Sequence, residues 1–342
     1  IQQEIEPAGG AHTTLDTVVL RAGGSGEKTL LADYLFERLG ISACPGVVVK
    51  NQPDDGFPPF PAAGFSGLLL LRVDVGEQHP MWLDFSSRYV AAGEVDGENR
   101  RGVALVLDDE GEYFEPVEAE VWPRGWIQRN VTFRPAADRS VEVDGKYLYR
   151  GTHRRSLLSL IADKEAERRF KDSQVSGDLR GITLENTELI DVDDPYGVPR
   201  LEFNGGIPNF LQPGENEALR MPAVPIRLEV SRLVGEVTRE TPVKFDRPPV
   251  TEPLDIRVDL KPMIEEGYEL VRLPGDFVRL APYGYYSLIY RRIKDEIVVR
   301  RSALIPPQTI ETKNYGDFAA FCRSIDEAER RDILFRQVFT RE

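Results

Sequence analysis

The hydrophobic and polar positions of this chain follow two periods, a helical one near its beginning and an alternating one over much of the remainder. A glycine-rich turn, Gly23 to Gly26, leads into apolar residues at helical spacing. They predict a helix that ends near Gly40, where glycine favours a helix C-terminus, and then a buried strand at 47–49. Residues 13–20 fit either a short helix or a strand. The expected buried face of the main helix consists of Leu30, Leu31, Tyr34, Leu35 and Leu39.

Alternating apolar positions elsewhere predict short strands separated by turns. Asp144-Gly145 is a strong tight-turn signal, so residues 141–149 are expected to form a hairpin or meander. Residues 156–170 indicate one helix. A last helix is predicted from apolar residues at helical spacing, Phe321, Ile325 and Ala328. The other predicted strands are 67–75, 81–85, 102–107, 126–133, 181–192, 200–204, 226–234, 268–273, 277–280, 283–293 and 296–304.

These elements predict an α+β fold with three regions. Residues 1–118 hold the helical beginning and its strands. Residues 119–222 form a β-rich region with one helix, and residues 223–342 a β-sandwich-like region that ends in a helix.

Composition and charge exclude some classes of function for this chain. The 342 residues carry a formal net charge of −14, which argues against nucleic acid as a partner. No apolar run approaches the ~18 residues that a membrane span needs. Cys44 and Cys322 lie in apolar stretches of different regions, so buried free thiols are expected rather than a disulfide. Because the sequence begins with Ile1, we expect a piece of a longer chain or of a larger assembly.

Three short motifs carry a family resemblance. The first combines Gly23, Ser25 and Glu27 with a helix that ends in Gly40-Ile41 before the valine-rich strand. The others are Phe65-Ser66-Gly67 and Trp82-Leu83-Asp84. This order resembles the transglutaminase-like superfamily, which has a papain-like fold with a Cys-His-Asp triad. It is most similar to a bacterial subgroup with flanking β-rich domains of unknown function. The resemblance implies a truncated transglutaminase-like core, then β-sandwich-type domains and a C-terminal helix.

Residue by residue, the resemblance aligns Ser25 with the cysteine of the family's triad, Gly67 with its histidine and Asp84 with its aspartate. A serine hydroxyl without a base is a poor nucleophile, so no catalytic residue is expected and the core is interpreted as a pseudoenzyme. Ser25 is then a helix N-cap and Asp84 a structural carboxylate at a strand end. Such a scaffold keeps a cleft for a protein or peptide partner. The subgroup resemblance also implies a location in the periplasm or at the cell surface.

Two other functions stay open. An active transglutaminase or protease-like enzyme would need a substitute base for Ser25, and His79 is the candidate. A carbohydrate-binding surface could use the partly alternating Tyr283, Tyr285, Tyr286 and Tyr290, although strand packing explains them better.

No cofactor or metal is expected. Neither cysteine lies in a C-x-x-C and no histidine is paired at metal-ligand spacing. The acidic turns at Asp191, Asp193 and Asp194 do not fit a calcium loop. Residues 22–29 only approach a phosphate loop, because Glu27 would set a negative charge against phosphate oxygens.

Overall fold

The computed structural model describes residues 4–7, 13–49, 68–76, 80–87, 90, 92–93, 95, 103–108, 111–117, 125–161, 163–194, 197–215, 217–235, 239–245 and 249–338. It consists of two compact units, Ile1–Arg124 and Gly125–Glu342. Within the described ranges, no helix is both long and apolar enough to cross a bilayer.

The first unit combines two helices with one antiparallel sheet. Its elements are α1 (Thr14–Leu20), α2 (Ser25–Arg38), β1 (Ala43–Val49), β2 (Leu68–Val73), β3 (Met81–Leu83), β4 (Val103–Asp108) and β5 (Gly111–Pro116). The strand order is β3-β2-β1-β4-β5. Residues 13–20 form a helix rather than a strand because Thr13 and Asp16 make a reciprocal capping box at its start.

The buried face of α2 differs from the expected one. Lys28, Thr29, Leu31 and Ala32 are buried, so the prediction was right only for Leu31. The small Thr29 and Ala32 let the helix approach the sheet closely, and the Thr29 hydroxyl lies 3.2 Å from the carbonyl oxygen of Leu69 on β2. Four of the larger apolar side chains that were expected to be buried are exposed instead, namely Leu30, Tyr34, Leu35 and Leu39.

The second unit contains most of the strands. Its helices are α3 (Thr152–Leu160), α4 (Lys164–Asp178), α5 (Lys261–Glu265) and α6 (Tyr315–Glu329). Its strands are β6 (Ile127–Pro135), β7 (Val141–Tyr149), β8 (Thr183–Ile190), β9 (Arg200–Ile207), β10 (Gln212–Pro213), β11 (Ala218–Pro222), β12 (Val243–Phe245), β13 (Val250–Thr251), β14 (Leu254–Asp259), β15 (Tyr268–Arg272), β16 (Phe277–Ala281), β17 (Gly284–Ile293), β18 (Glu296–Ile305), β19 (Gln308–Ile310) and β20 (Asp332–Gln337).

One large sheet organises this unit. Its strand order is β16-β17-β18-β14-β6-β7-β9-β8, and β13 also pairs with β18. The β14–β6 pair is parallel, and the other pairs along this order are antiparallel. A smaller sheet has the order β10-β11-β20-β15, and β12 pairs with β19. Side chains from the large sheet, from the sheet β10-β11-β20-β15 and from α6 form one continuous apolar core.

The large sheet crosses the expected boundary at residue 222. β6 to β9 come from the region 119–222, whereas β14 and β16 to β18 come from 223–342. The expected middle and last regions therefore share one sheet and one core instead of forming two compact units. The sequence pattern could not show this, because the joining pair β6–β14 is more than 100 residues apart along the chain.

Several local predictions were wrong for identifiable reasons. Asp144-Gly145 lies inside the continuous strand β7 and makes no turn, and the ring of Phe203 fills the space that a side chain at Gly145 would need. The single helix expected at 156–170 is two helices, because α3 ends before Ile161 and Asp163 caps α4 by accepting a hydrogen bond from the Ala166 amide at 2.8 Å.

Two further differences lie near the end of the chain. Residues 226–234 contain the 3-10 helix Val230–Leu233 rather than a strand. The chain does not finish with α6, since β20 follows it and pairs with β11 and β15.

The fold class is confirmed as α+β with several sheets and a helix near the C-terminus. The predicted face of that helix is also confirmed, because Phe321, Ile325 and Ala328 of α6 are all buried.

Candidate functional site

The glycine-rich turn before α2 is built for close packing. The Glu6 carbonyl accepts a hydrogen bond from the Gly23 amide at 2.9 Å, and the Glu6 amide donates to the Arg21 carbonyl at 2.7 Å. A side chain at Gly23 would approach the Thr17 methyl group of α1 to 2.9 Å. Glycine at this position therefore lets α1 pack directly against the turn that presents Ser25.

Ser25 is the first residue of α2 and is half-buried. The N-cap is Gly24, in an extended conformation without a side-chain cap, so the expected capping role of Ser25 was wrong by one position. The Ser25 carbonyl accepts a hydrogen bond from the Thr29 hydroxyl at 2.8 Å. Because the same hydroxyl also approaches the Leu69 carbonyl, the first turns of α2 are fixed against the beginning of β2.

Asp84 is almost completely buried and follows β3 directly. Its carboxylate accepts a hydrogen bond from the Ser86 amide at 2.8 Å. β3 is antiparallel to β2, with Leu83 opposite Leu71. The backbone that leaves β3 at Asp84 therefore runs toward the beginning of β2. The start of α2 and Asp84 therefore approach the same end of β2.

The candidate set also includes a position for the base and a substitute base. Gly67 and His79 lie outside the described residues. The site residues with a defined position are thus Ser25 and Asp84.

A buried lysine beside Ser25 was not anticipated. Lys28 is 4% exposed and lies on the face of α2 that packs inward. Burial lowers the pKa of its ammonium group, and the negative charge of Glu6 acts in the opposite direction. Lys28 follows Ser25 by about one helical turn and is the described cation nearest to it in sequence. The helical pattern of apolar residues did not predict its burial.

The two cysteines are free and buried, as expected. Burial raises the pKa of the Cys44 thiol, although Arg72 opposes this effect. Burial likewise raises the pKa of Cys322 to about 12. Both thiols are therefore protonated near neutral pH, and neither has the thiolate character of a nucleophile.

The tyrosines proposed as a sugar platform do not form one. Tyr286 and Tyr290 are buried in the core. The ring of Tyr283 packs edge-on against Phe318 of α6, with 5.5 Å between the ring centroids. Tyr285 is exposed, but a single ring is no platform, so strand packing is the correct interpretation.

The candidate metal residues are also engaged elsewhere or dispersed. Asp191 pairs with Arg200. Among the described residues, no group of three or more histidine, cysteine or acidic side chains is placed to hold a metal ion.

A chain of ion pairs between buried and partly buried side chains crosses the core of the second unit, and no sequence pattern predicted it. It runs from Arg129 to Glu252 (2.8 Å), then to Arg301 (3.5 Å) and to Glu329 (2.9 Å). Asp178 extends it at the other end, 2.8 Å from Arg129. We call these five residues the buried ion-pair chain. It connects α4, the strands β6 and β18 and the helix α6.

Glu329 accepts hydrogen bonds from three different residues. It accepts hydrogen bonds from the Tyr286 hydroxyl at 3.0 Å and from the Leu228 amide at 2.8 Å, in addition to Arg301. Burial alone would lower the pKa of Arg129, but the charges of Glu252 and Asp178 raise it, so that guanidinium remains charged. Each guanidinium lies against two carboxylates of the chain, which is typical of a structural rather than a catalytic cluster.

Comparisons with known proteins bear on the fold. A family model described as a domain of unknown function with a solved structure, DUF3858, matches residues 229–335. The crystal structure of "a putative protease" from Parabacteroides distasonis superposes on 97% of this chain, with a TM-score of 0.50 and 12% sequence identity. This chain spans about half of that protein, 49% of its length. No curated protein matches the sequence. At this identity the likeness concerns the fold alone.

Proposed function

We propose that this chain is a non-catalytic protein-interaction module whose first unit is a degenerate transglutaminase-like core. The observation that carries the proposal is the pair of substitutions Ser25 and Gly67, at the positions where the resemblance expects the cysteine and the histidine. Together they remove the thiol and the base that a thiolate mechanism requires. The approach of α2 and Asp84 to one end of β2 supports the alignment of these positions.

The environment of Asp84 agrees with a structural role. Its carboxylate is buried and engaged by the Ser86 amide. A buried carboxylate that accepts a backbone hydrogen bond stabilises the turn in which it lies. In the proposed pseudoenzyme, Asp84 therefore remains because it holds the segment after β3.

The interaction role is supported by an apolar surface on the two helices. We define the α1–α2 face by its exposed members, Leu15, Val18, Val19, Leu20, Leu30, Tyr34, Leu35, Leu39 and Ile41. Groups of large exposed apolar side chains on neighbouring elements are a usual feature of binding sites on soluble proteins. We propose that this face binds an apolar surface of a protein partner, outside the cytoplasm, in the periplasm or at the cell surface.

An activity assay tests the loss of catalysis. Transfer of a fluorescent amine to casein and hydrolysis of casein are measured for the wild type, Ser25→Ala and His79→Ala. The wild type should be indistinguishable from Ser25→Ala in both reactions. An activity that is present in the wild type and lost in both variants would mean that Ser25 and His79 form a working site, and the pseudoenzyme proposal would be rejected.

A crosslinking experiment tests the α1–α2 face. A photoreactive phenylalanine analogue at Tyr34 should give one discrete adduct in the native host, and the same analogue at the exposed Arg168 of α4 should not. Leu39→Glu should abolish the adduct, because a charge in the face opposes apolar contact. An adduct that persists in Leu39→Glu would contradict binding through this face.

A further inference from the structure

The strand β16 forms one edge of the large sheet. It pairs with β17 on one side, and within the described residues no strand pairs with its other side. An edge strand presents a row of backbone donors and acceptors that can accept a further strand. β16 therefore has the backbone geometry of a strand-addition site.

The side chains of β16 make this edge unusually apolar. Leu280 is 83% exposed and Val278 is 66% exposed. They lie on the same face of the strand, and Leu280 is directly opposite the 42% exposed Tyr285 of β17. We call these three residues the β16 strip. Its exposure contrasts with Phe277 on the other face, whose ring packs 5.9 Å from that of Tyr286.

The opposite edge of the same sheet is protected. β8 has an irregular register between Leu184 and Asn186 and carries the acidic residues Glu185 and Glu188. Bulges and charges are the usual means by which sheet edges avoid pairing with other chains. β16 pairs with β17 in a regular register, and its one charged residue is Arg279. The protection of β8 and the openness of β16 distinguish the two edges.

We infer that β16 is a strand-addition site for an extended segment of another protein with the pattern apolar–acidic–apolar. In a paired strand the residue opposite Arg279 lies on the same face as its guanidinium, and the neighbours on each side face Val278 and Leu280. An acidic residue would neutralise Arg279, which forms no ion pair within the described residues. Apolar neighbours would cover the β16 strip.

A second copy of this chain fits the edge poorly. A two-fold axis requires antiparallel pairing, and the register that uses all five residues of β16 places Arg279 opposite its own copy. Like charges directly opposite each other are destabilising in a sheet. The edge therefore favours a different, acidic partner strand.

A peptide titration tests this inference on the full chain. The probe is a fluorescein-labelled peptide, Ser-Thr-Val-Asp-Val-Thr-Ser, and its control has Lys in place of Asp. Fluorescence anisotropy is measured with the wild type, Arg279→Glu and Leu280→Thr. Ile293→Thr is the matched control, because Ile293 is an exposed apolar residue of β17 outside the β16 strip. Threonine retains a high strand propensity, so these variants are expected to fold.

The wild type should prefer the Asp peptide by about five-fold, and Arg279→Glu should reverse the preference. Leu280→Thr should weaken binding, and Ile293→Thr should not. Hydrogen exchange should slow in β16 when the Asp peptide binds. Equal binding of both peptides, no binding at about 1 mM, or a dimer that Leu280→Thr dissociates would overturn the inference. Because β16 belongs to the second unit, failure here would leave the proposal for the first unit intact.

Discussion

At the scale of single residues, burial decides which of the reactive groups can react. Cys322 is completely buried on α6, and its thiol has a pKa raised to about 12. We expect iodoacetamide at pH 8 to leave Cys322 unmodified in the native chain and to modify it in urea, because both the thiolate and access are missing before unfolding. Peptide mass spectrometry distinguishes the two states. Equal labelling of native and unfolded chain would show that α6 is not packed as described.

Asp276 provides a test of a titrating residue. Its carboxylate accepts a hydrogen bond from the Tyr290 amide at 2.8 Å and contacts the Arg291 guanidinium, and these bonds lower its pKa. A lowered folded-state pKa means that the native state binds its proton less readily than the unfolded state. The stabilisation is therefore present above the ordinary carboxyl pKa and is lost as the pH falls through the lowered value.

Accordingly, Asp276→Asn should reduce the free energy of unfolding most at neutral pH, and the difference from the wild type should shrink in acid. Urea unfolding at several pH values measures this difference in unfolding free energy. The control is Asp172→Asn on α4, an exposed position whose carboxylate makes no hydrogen bond within the described residues. A difference of equal size at pH 7 and in acid would contradict the assignment.

At the scale of elements, the buried ion-pair chain holds α6 against the sheet. Glu329→Gln or Arg301→Met should each cost about 3–5 kcal/mol of unfolding free energy, because either change removes one partner of the buried Arg301–Glu329 pair. The double variant should cost clearly less than the sum of the two. Glu327→Gln, an exposed neighbour on α6, is the matched control and should be nearly neutral. Additive losses measured by urea unfolding would mean that the two side chains do not interact.

The same elements show what sequence patterns can and cannot predict. α6 was predictable because its apolar residues recur at helical spacing and all face one core. α2 was predictable as a helix but not in its orientation, since Thr29 and Ala32 face the sheet while larger apolar residues face outward. Asp144-Gly145 misled the prediction because an Asp-Gly pair is typical of tight turns. Here the glycine is needed inside a strand, since the ring of Phe203 occupies the space of a side chain at Gly145.

Ser25 and Asp84 were proposed as candidate residues only through motif spacing, and the buried charges were not predicted at all. Arg129, Arg301 and Glu329 come from segments far apart in the chain, and each alone resembles an ordinary surface charge. Their burial results from packing between distant segments, so a local sequence pattern cannot predict it. This is also why the candidate chemistry of the first unit was visible in advance and the stabilising chemistry of the second unit was not.

At the scale of the whole molecule, the large sheet determines where the chain can be divided. The family match at 229–335 contains β14 to β18 but not β6, the parallel neighbour of β14. Removing residues before 223 would expose the edge of β14 and uncover residues of the shared core, including Ile256 and Val258. Residues 125–342 should therefore fold cooperatively by themselves, whereas residues 223–342 alone should not.

Urea unfolding followed by circular dichroism and by tyrosine fluorescence separates these outcomes. The fragment 125–342 should give coincident, sigmoidal transitions, and 223–342 should show a broad transition or bind a hydrophobic dye in the absence of urea. Mixing 223–342 with 125–222 should restore some cooperativity, because the β6–β14 pair can then form between the two pieces. If 223–342 alone unfolded as sharply as the larger fragment, the core would divide at residue 222 after all, and β6 would be an addition to a complete domain.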